Sequence, residues 1–292
     1  MFTSSPLTSR CPGLRDTLAS GLTCCLMLVA AGLPLQAGAS APAAADRPIR
    51  VGVLSSREEP GGNTSQGLFI RILNEAGLEA RAVSGEAVRD GALDHLDVFI
   101  IGGGSGTRFN TSLGPEGGKA VEAFVRRGGG VLGSCAGGYS FVRGHNEALK
   151  YVEVANARCI DTANNRWARG KAVVDIAPED PNSRPIRMYY ANGPLWEITD
   201  AEGFGITRAL ATFVSDVADK EGDQGGVMPG TPAILAGTFG DGRFVLFSAH
   251  PEFRQTLGNR PLVVDAAHWV ARGRLAEGED VVWREVFPST LR

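Results

Sequence analysis

Cys135 stands in Gly133-Ser134-Cys135-Ala136-Gly137-Gly138, a G-x-nucleophile-x-G segment with cysteine in the reactive position. Such a segment works between a strand and a helix. The turn is so sharp that the nucleophile takes a strained backbone conformation, and only small neighbours avoid a clash. The turn also sets the sulfur at a helix amino terminus, where the helix dipole favours its anionic form. Ser248-Ala249-His250-Pro251-Glu252 is the second reactive segment. Residues two apart in an extended stretch project to one side. Glu252 is therefore expected to orient His250, and His250 to act as base for Cys135. Nucleophile, base and orienter in this order suit acyl transfer. The backbone N–H of Ala136, with one from Gly103 or Gly104, is the expected oxyanion hole.

Taken singly, a cysteine in apolar surroundings is usually core, and a His-Pro-Glu is usually a turn. Both follow apolar strand-like runs here, and that coincidence selects them. Cys159 reads as a plain strand residue, although a Cys135–Cys159 bridge would silence the nucleophile. His95, His145 and His268 lack metal-ligand spacing, so no metal is assigned. Gly102 to Thr107 has threonine where a dinucleotide fingerprint needs glycine, and Gly118-Lys119-Ala120 lacks the pattern of a phosphate loop. No cofactor is expected.

The elements that must position these residues are short apolar strands alternating with helices. Strands are read at Ile49–Leu54, Asp97–Ile101 and Val131–Ser134, and helices at Thr64–Ala76 and Pro115–Arg127, the latter with proline at its start. This alternation implies a parallel sheet covered on both faces. The second half changes character. Tyr151–Ile160, Ala172–Ile176, Arg187–Ala191 and Ile206–Ser215 are strand-like. Pro232–Ala236 and Arg243–Ser248 flank the turn signal Gly240-Asp241-Gly242. A closing helix is read over Arg260–Arg272. The fold class is α/β: a flavodoxin-like, mostly parallel sheet with helices on both faces and extra antiparallel strands in the second half.

Hydrophobic residues at 43% and charged residues at 21% match globular chains and exclude wholesale disorder. A formal net charge of -3 argues against a broad basic surface, so no nucleic-acid partner is expected. Residues 1–39 read as a signal peptide: Arg10 and Arg15, an apolar run from Leu18 to Leu35, then Ala37-Gly38-Ala39 as cleavage site. An uncleaved anchor is the alternative. Residues 40–48 form an Ala/Pro linker, 49–273 one domain and 274–292 a peripheral tail. No membrane span is expected after signal removal. The few lysines among many arginines suggest a GC-rich bacterial genome, and the periplasm is the expected location.

The chain resembles the class I glutamine amidotransferase-like superfamily. The resemblance rests on Gly129 to Tyr139 around the elbow and on His250-Pro251-Glu252-Phe253. Tyr189-Tyr190-Ala191-Asn192-Gly193-Pro194 points to one subgroup, the amino-terminal domain of eukaryotic biotin-protein ligases, which also occurs free-standing in bacteria. Ser134 departs from the aromatic residue that often precedes the cysteine in that subgroup. The resemblance implies the flavodoxin-like sheet and the triad Cys135, His250 and Glu252. It does not imply biotin ligation, which belongs to a separate domain, and no ammonia-accepting synthase domain follows.

The leading expectation is an exported thiol hydrolase acting on a carboxamide or peptide-like bond of a small-molecule or peptide-like substrate. Tyr190 and Asn192 are read as lining the substrate side, with strand-end packing as the equal alternative. A homodimer stays open. Two other functions compete: a non-catalytic ligand-binding envelope protein that keeps the elbow as a pocket, and a redox- or aldehyde-reactive thiol protein with Glu58 and Glu59 as thiolate partners.

Overall fold

The computed structural model describes residues 47–57, 59–145, 152–160, 170–217 and 226–291. The expected leader over 1–39, most of the 40–48 linker, Tyr151 and Glu58 lie outside the described residues.

The opening apolar run forms β1 (Arg50–Leu54), buried from Val51 onward. Thr64 caps α1 (Ser65–Glu75) by accepting the Gly67 N–H. A strand that the sequence does not announce, β2 (Glu79–Val83), exposes Glu79 and Arg81 and buries Ala80. Outward charges of this kind suit a sheet edge. Next come α2 (Gly85–Arg89), β3 (Val98–Ile101), α3 (Gly106–Arg126), β4 (Gly130–Ser134) and α4 (Ala136–Ser140). The helix expected to open at Pro115 is the second part of α3. The chain breaks helical geometry at Gly114, with φ 64° and ψ 179°, and Pro115 restarts it. The second half supplies β5 (Ala157–Cys159), β6 (Lys171–Pro178), β7 (Ile186–Ala191), β8 (Trp196–Ile198), β9 (Thr207–Phe213), β10 (Pro232–Phe239) and β11 (Gly242–Phe247). Two helices, α5 (Arg260–Val270) and α6 (Trp283–Val286), complete the set.

Nine strands make one sheet, in the order β2-β1-β3-β4-β11-β10-β9-β6-β7. The first five run parallel. The remaining pairings are antiparallel. The α/β class and the antiparallel extension match expectation. β5 and β8 form a separate pair. One face of the sheet packs against α1, α5 and the carboxyl-terminal segment. The other packs against α2, α3 and α4. Among the described residues no helix is long and apolar enough to cross a membrane.

Residues 274–292 are not a peripheral tail. Val281, Trp283, Val286 and Phe287 are at most 1% exposed and join the core over α5. Arg243, at the start of β11, fastens this segment. Its Nε donates to the Gly273 carbonyl at 2.6 Å, and Nη2 donates to the Arg274 carbonyl at 3.0 Å. Nη1 and Nη2 also grip the Glu279 carboxylate at 2.6 and 2.8 Å. Its guanidinium lies 4.8 Å over the Trp269 ring.

In this order β1 is flanked by β2 on one side and β3 on the other, so chain progression reverses there. Open α/β sheets bind ligands outside the carboxyl ends of strands at such a point. The loops after β1, β3, β4 and β11 open on that edge, and they carry Ser55, Gly103, Cys135 and His250.

Candidate active site

Cys135 follows β4 directly and takes φ 49° and ψ -102°, a strained conformation for a residue with a side chain. Its own N–H donates to the Phe247 carbonyl at 2.9 Å, so β4 and β11 together hold the bend. The glycine requirement is steric as well. A Cβ on Gly137 would lie 1.8 Å from the Ile101 carbonyl oxygen, so α4 can approach β3 only without a side chain there. Cys135 and Cys159 are both buried and are not bridged to one another.

His250 is brought to the sulfur by β11, which pairs with β4 in parallel register, Phe247 opposite Ser134. The imidazole is 4% exposed and interacts with the Cys135 side chain. On its other side Nδ1 meets Glu252 Oε1 at 2.9 Å. Burial works against charge on this ring. The Glu252 carboxylate and the hydrogen bonds to Cys135 and Glu252 outweigh it and push the His250 pKa up to about 10. The Cys135 Sγ also donates to the Ala191 carbonyl at 3.4 Å. The three residues picked from sequence are therefore one contact chain, although 115 positions separate Cys135 from His250.

Glu252 is 1% exposed and held by more than His250. Ser65, in the first turn of α1, donates to Oε1 at 2.6 Å, and Ser134 donates to the same oxygen at 3.1 Å. Oε2 has no hydrogen-bond partner among the described residues. Sequence reasoning misses both serines in this role. Ser134, which replaces the expected aromatic, points at the carboxylate and forms no pocket wall.

Two sequence expectations need correcting. The Gly103 N–H donates to Ser65 Oγ at 2.7 Å, so it is taken up by that serine and does not serve an oxyanion hole. Gly103 matters through its missing side chain: a Cβ would sit 2.3 Å from His250 Cε1. The imidazole thus rests on bare backbone. Gly104, with φ 150°, and Ala136, the first residue of α4, keep the places given to them at the carboxyl ends of β3 and β4. The second correction concerns Tyr190. It is fully buried, donates to the Gly193 carbonyl at 2.7 Å and packs edge-on against Phe213. It is core, not a substrate contact. The strand's alternation gives the site its neighbour instead. The Tyr189 carbonyl accepts the His250 N–H at 2.8 Å, and its ring centroid lies 6.0 Å from the imidazole. Phe253 covers the imidazole edge-on at 4.6 Å. Asn192 stays at the site's margin, in left-handed conformation with φ 55°, and its Oδ1 has no hydrogen-bond partner. Glu59 is exposed.

A cleft of about 240 Å³ borders the site between the loops after β1 and β3, with Gly103 and Gly104 in its wall. A larger cavity of about 620 Å³ lies between β7, α5 and the carboxyl-terminal segment, and none of the residues above lines it. Among the described residues no His, Cys, Asp and Glu cluster is arranged to hold a metal ion.

No protein-family model matches the chain, and no curated protein matches it in sequence. Solved structures with a similar course of the chain include a β-galactosidase from Bacillus circulans sp. alkalophilus, at 14% identity over 73% of this chain and 30% of the other, TM-score 0.46. A GMP synthase-like protein from Thermoplasma acidophilum matches at 14% identity over 73% and 89%, TM-score 0.46. A cytoplasmic protein from Salmonella typhimurium LT2 matches at 15% identity over 75% and 98%, TM-score 0.47. The chain spans less than a third of the length of the β-galactosidases it matches.

Proposed function

We propose that this protein is a cysteine-dependent hydrolase of a carboxamide or peptide-like bond. The observation that carries the reading is the single imidazole that interacts with a thiol on a strained elbow and hydrogen-bonds a buried carboxylate. In the proposed cycle Cys135 passes its thiol proton to His250 as the sulfur attacks the amide carbonyl carbon, and the protonated His250 then gives that proton to the departing nitrogen. The C–N bond breaks, leaving a thioester on Cys135. Water then attacks the thioester while His250 takes a proton from it, and the free thiol and a carboxylic acid are released. Glu252, with Ser65 and Ser134 donating to it, fixes the ring and supports its positive charge. Negative charge on the carbonyl oxygen would be met by the Ala136 N–H, with Gly104 as second donor. Asn192 is assigned to the substrate side. The leader pattern over residues 1–39 supports action outside the cytoplasm, in a periplasm.

The test is site-selective alkylation. Near neutral pH iodoacetamide should modify Cys135 much faster than Cys159, and Cys135→Ala should abolish turnover across a panel of simple amides and dipeptides. Equal, slow modification of both thiols would overturn the reading. Ligand-induced thermal stabilisation that survives Cys135→Ala, with no turnover in the parent, would favour a binding protein.

A further inference from the structure

We infer that the cleft beside Gly103 and Gly104 is a carboxylate-binding subsite built on Arg57 and Arg108, and that the substrate is an amide bearing a free carboxylate and no free ammonium. The inference rests on the hydrolase reading above and adds to it what the substrate must carry.

The cleft takes Arg57 from the loop after β1 and Arg108 from the first turn of α3. Ser55, Ser56, Thr64, Gln66 and Ser105 complete its polar lining, and no described lining residue is acidic. Both guanidinium groups lack a carboxylate partner among the described residues. Other arginines are ion-paired, as Arg47 is with Asp97 and Arg127 with Asp94. Arg57 and Arg108 share this concave wall. Two like charges lining one cleft repel each other, and an anion between them removes that repulsion. Guanidinium forks match a carboxylate in a bidentate manner. α1 and α3 both start at the cleft, capped by Thr64 and Ser105, with no acidic residue in either first turn. Their positive ends add to the field.

Position ties the cleft to the chemistry. Gly103 lines it, and the same residue carries the His250 imidazole on its bare Cα. Gln66 Nε2 donates to the Gly103 carbonyl at 2.9 Å and steadies that wall. A group bound there lies one residue's thickness from the imidazole, close enough to belong to the molecule whose carbonyl reaches Cys135. Among the described lining residues no Asp or Glu offers an ammonium a counter-ion. A dicarboxylic acid monoamide, or an amino acid whose nitrogen is already acylated, fits these conditions.

The test compares alkylating reagents on the full chain: N-(iodoacetyl)glycine, its neutral N-methyl-iodoacetamide counterpart and its phosphonate counterpart, each scaled to its rate with free cysteine. The glycine reagent should modify Cys135 about tenfold faster than the neutral one, as a charge-assisted contact predicts. Arg57→Gln with Arg108→Gln should bring that ratio to about one, and the paired Arg→Lys variant should restore part of it. A ratio of one in the parent overturns the subsite while leaving the nucleophile intact. Failure of every reagent to reach Cys135 overturns the hydrolase reading itself. A faster phosphonate would assign the cleft to phosphoryl groups and overturn the carboxylate. Stronger protection of Cys135 by glutamine than by glutaramate would overturn the exclusion of an ammonium.

Discussion

β11 has a buried charge pair at each end, and the two are finished differently. At its start Arg243 commits its Nε and both terminal nitrogens to Glu279 and to the carbonyls of Gly273 and Arg274. Glu279 takes a further backbone N–H from Ala276. Just past the strand's other end, Glu252 collects three donors on Oε1 and none on Oε2, while His250 turns its remaining side to a thiol. A pair that only holds the fold together closes its bonding capacity. The pair proposed to move protons keeps some open and sits among loops at the carboxyl ends of parallel strands. The same strand thus serves as clasp at one end and as carrier of reactive groups at the other.

The sharpest way to separate the two ends is to remove one. Arg243→Met leaves Glu279 without its main partner and frees the segment carrying Trp283 and Phe287. Arg243 is buried but Glu279 is part-exposed, so urea unfolding should show a loss of about 1.5–3 kcal/mol, the worth of hydrogen bonds to a charged group. The fraction still folded should keep a reactive Cys135. If alkylation of Cys135 falls in step within the folded fraction, the two ends are not independent. Gly103→Ala is the converse probe. The added methyl meets the imidazole, so Cys135 reactivity should drop by about 100-fold, the scale of a 1 Å misplacement, while the urea midpoint moves less than in Arg243→Met. Retained reactivity would remove Gly103 as the seat of the ring.

A smaller effect separates the ends by pH. The hydrogen bond from Arg243 holds Glu279 below the usual carboxylate range, against its burial. Its contribution is present above that range and is lost as pH falls through the folded-state value. His250 runs the other way. Its pKa is raised from 6.5 to about 10, so its contribution is complete below 6.5 and is lost as pH rises towards 10. Urea midpoints measured across pH should show Glu279→Gln flattening the acid limb and Glu252→Gln flattening the alkaline limb. Identical profiles for the two variants would erase the distinction.

The elbow and the His-Pro-Glu are legible because their chemistry is local: small residues round a bend, and side chains two apart on an extended stretch. The parallel half is legible because its strands are continuous apolar runs. What escapes depends on convergence. Ser65 and Ser134 meet Glu252 from 187 and 118 positions away, and nothing in their immediate neighbours announces it. Tyr190 and Tyr189 differ by one position, and in a strand one position exchanges the faces, so a correct segment still yields the wrong ring. The spacing of Trp283, Val286 and Phe287 signals one buried helix face, but α6 is a four-residue element, too short for a periodic pattern to stand out. β2 hides for a related reason, since Arg81 and Glu79 dilute its apolar residues.

The strand order has a consequence for biosynthesis. β11, made late, wedges between β4 and β10 in the middle of the sheet. A chain emerging amino end first has long made its cysteine segment before the central slat, which helps to hold the bend, arrives. Until then the bend has no imidazole beside it, and the half-built sheet keeps a raw edge where β11 will dock. A nascent or truncated product is therefore sticky at that edge, and its thiol still lacks the proposed base beside it.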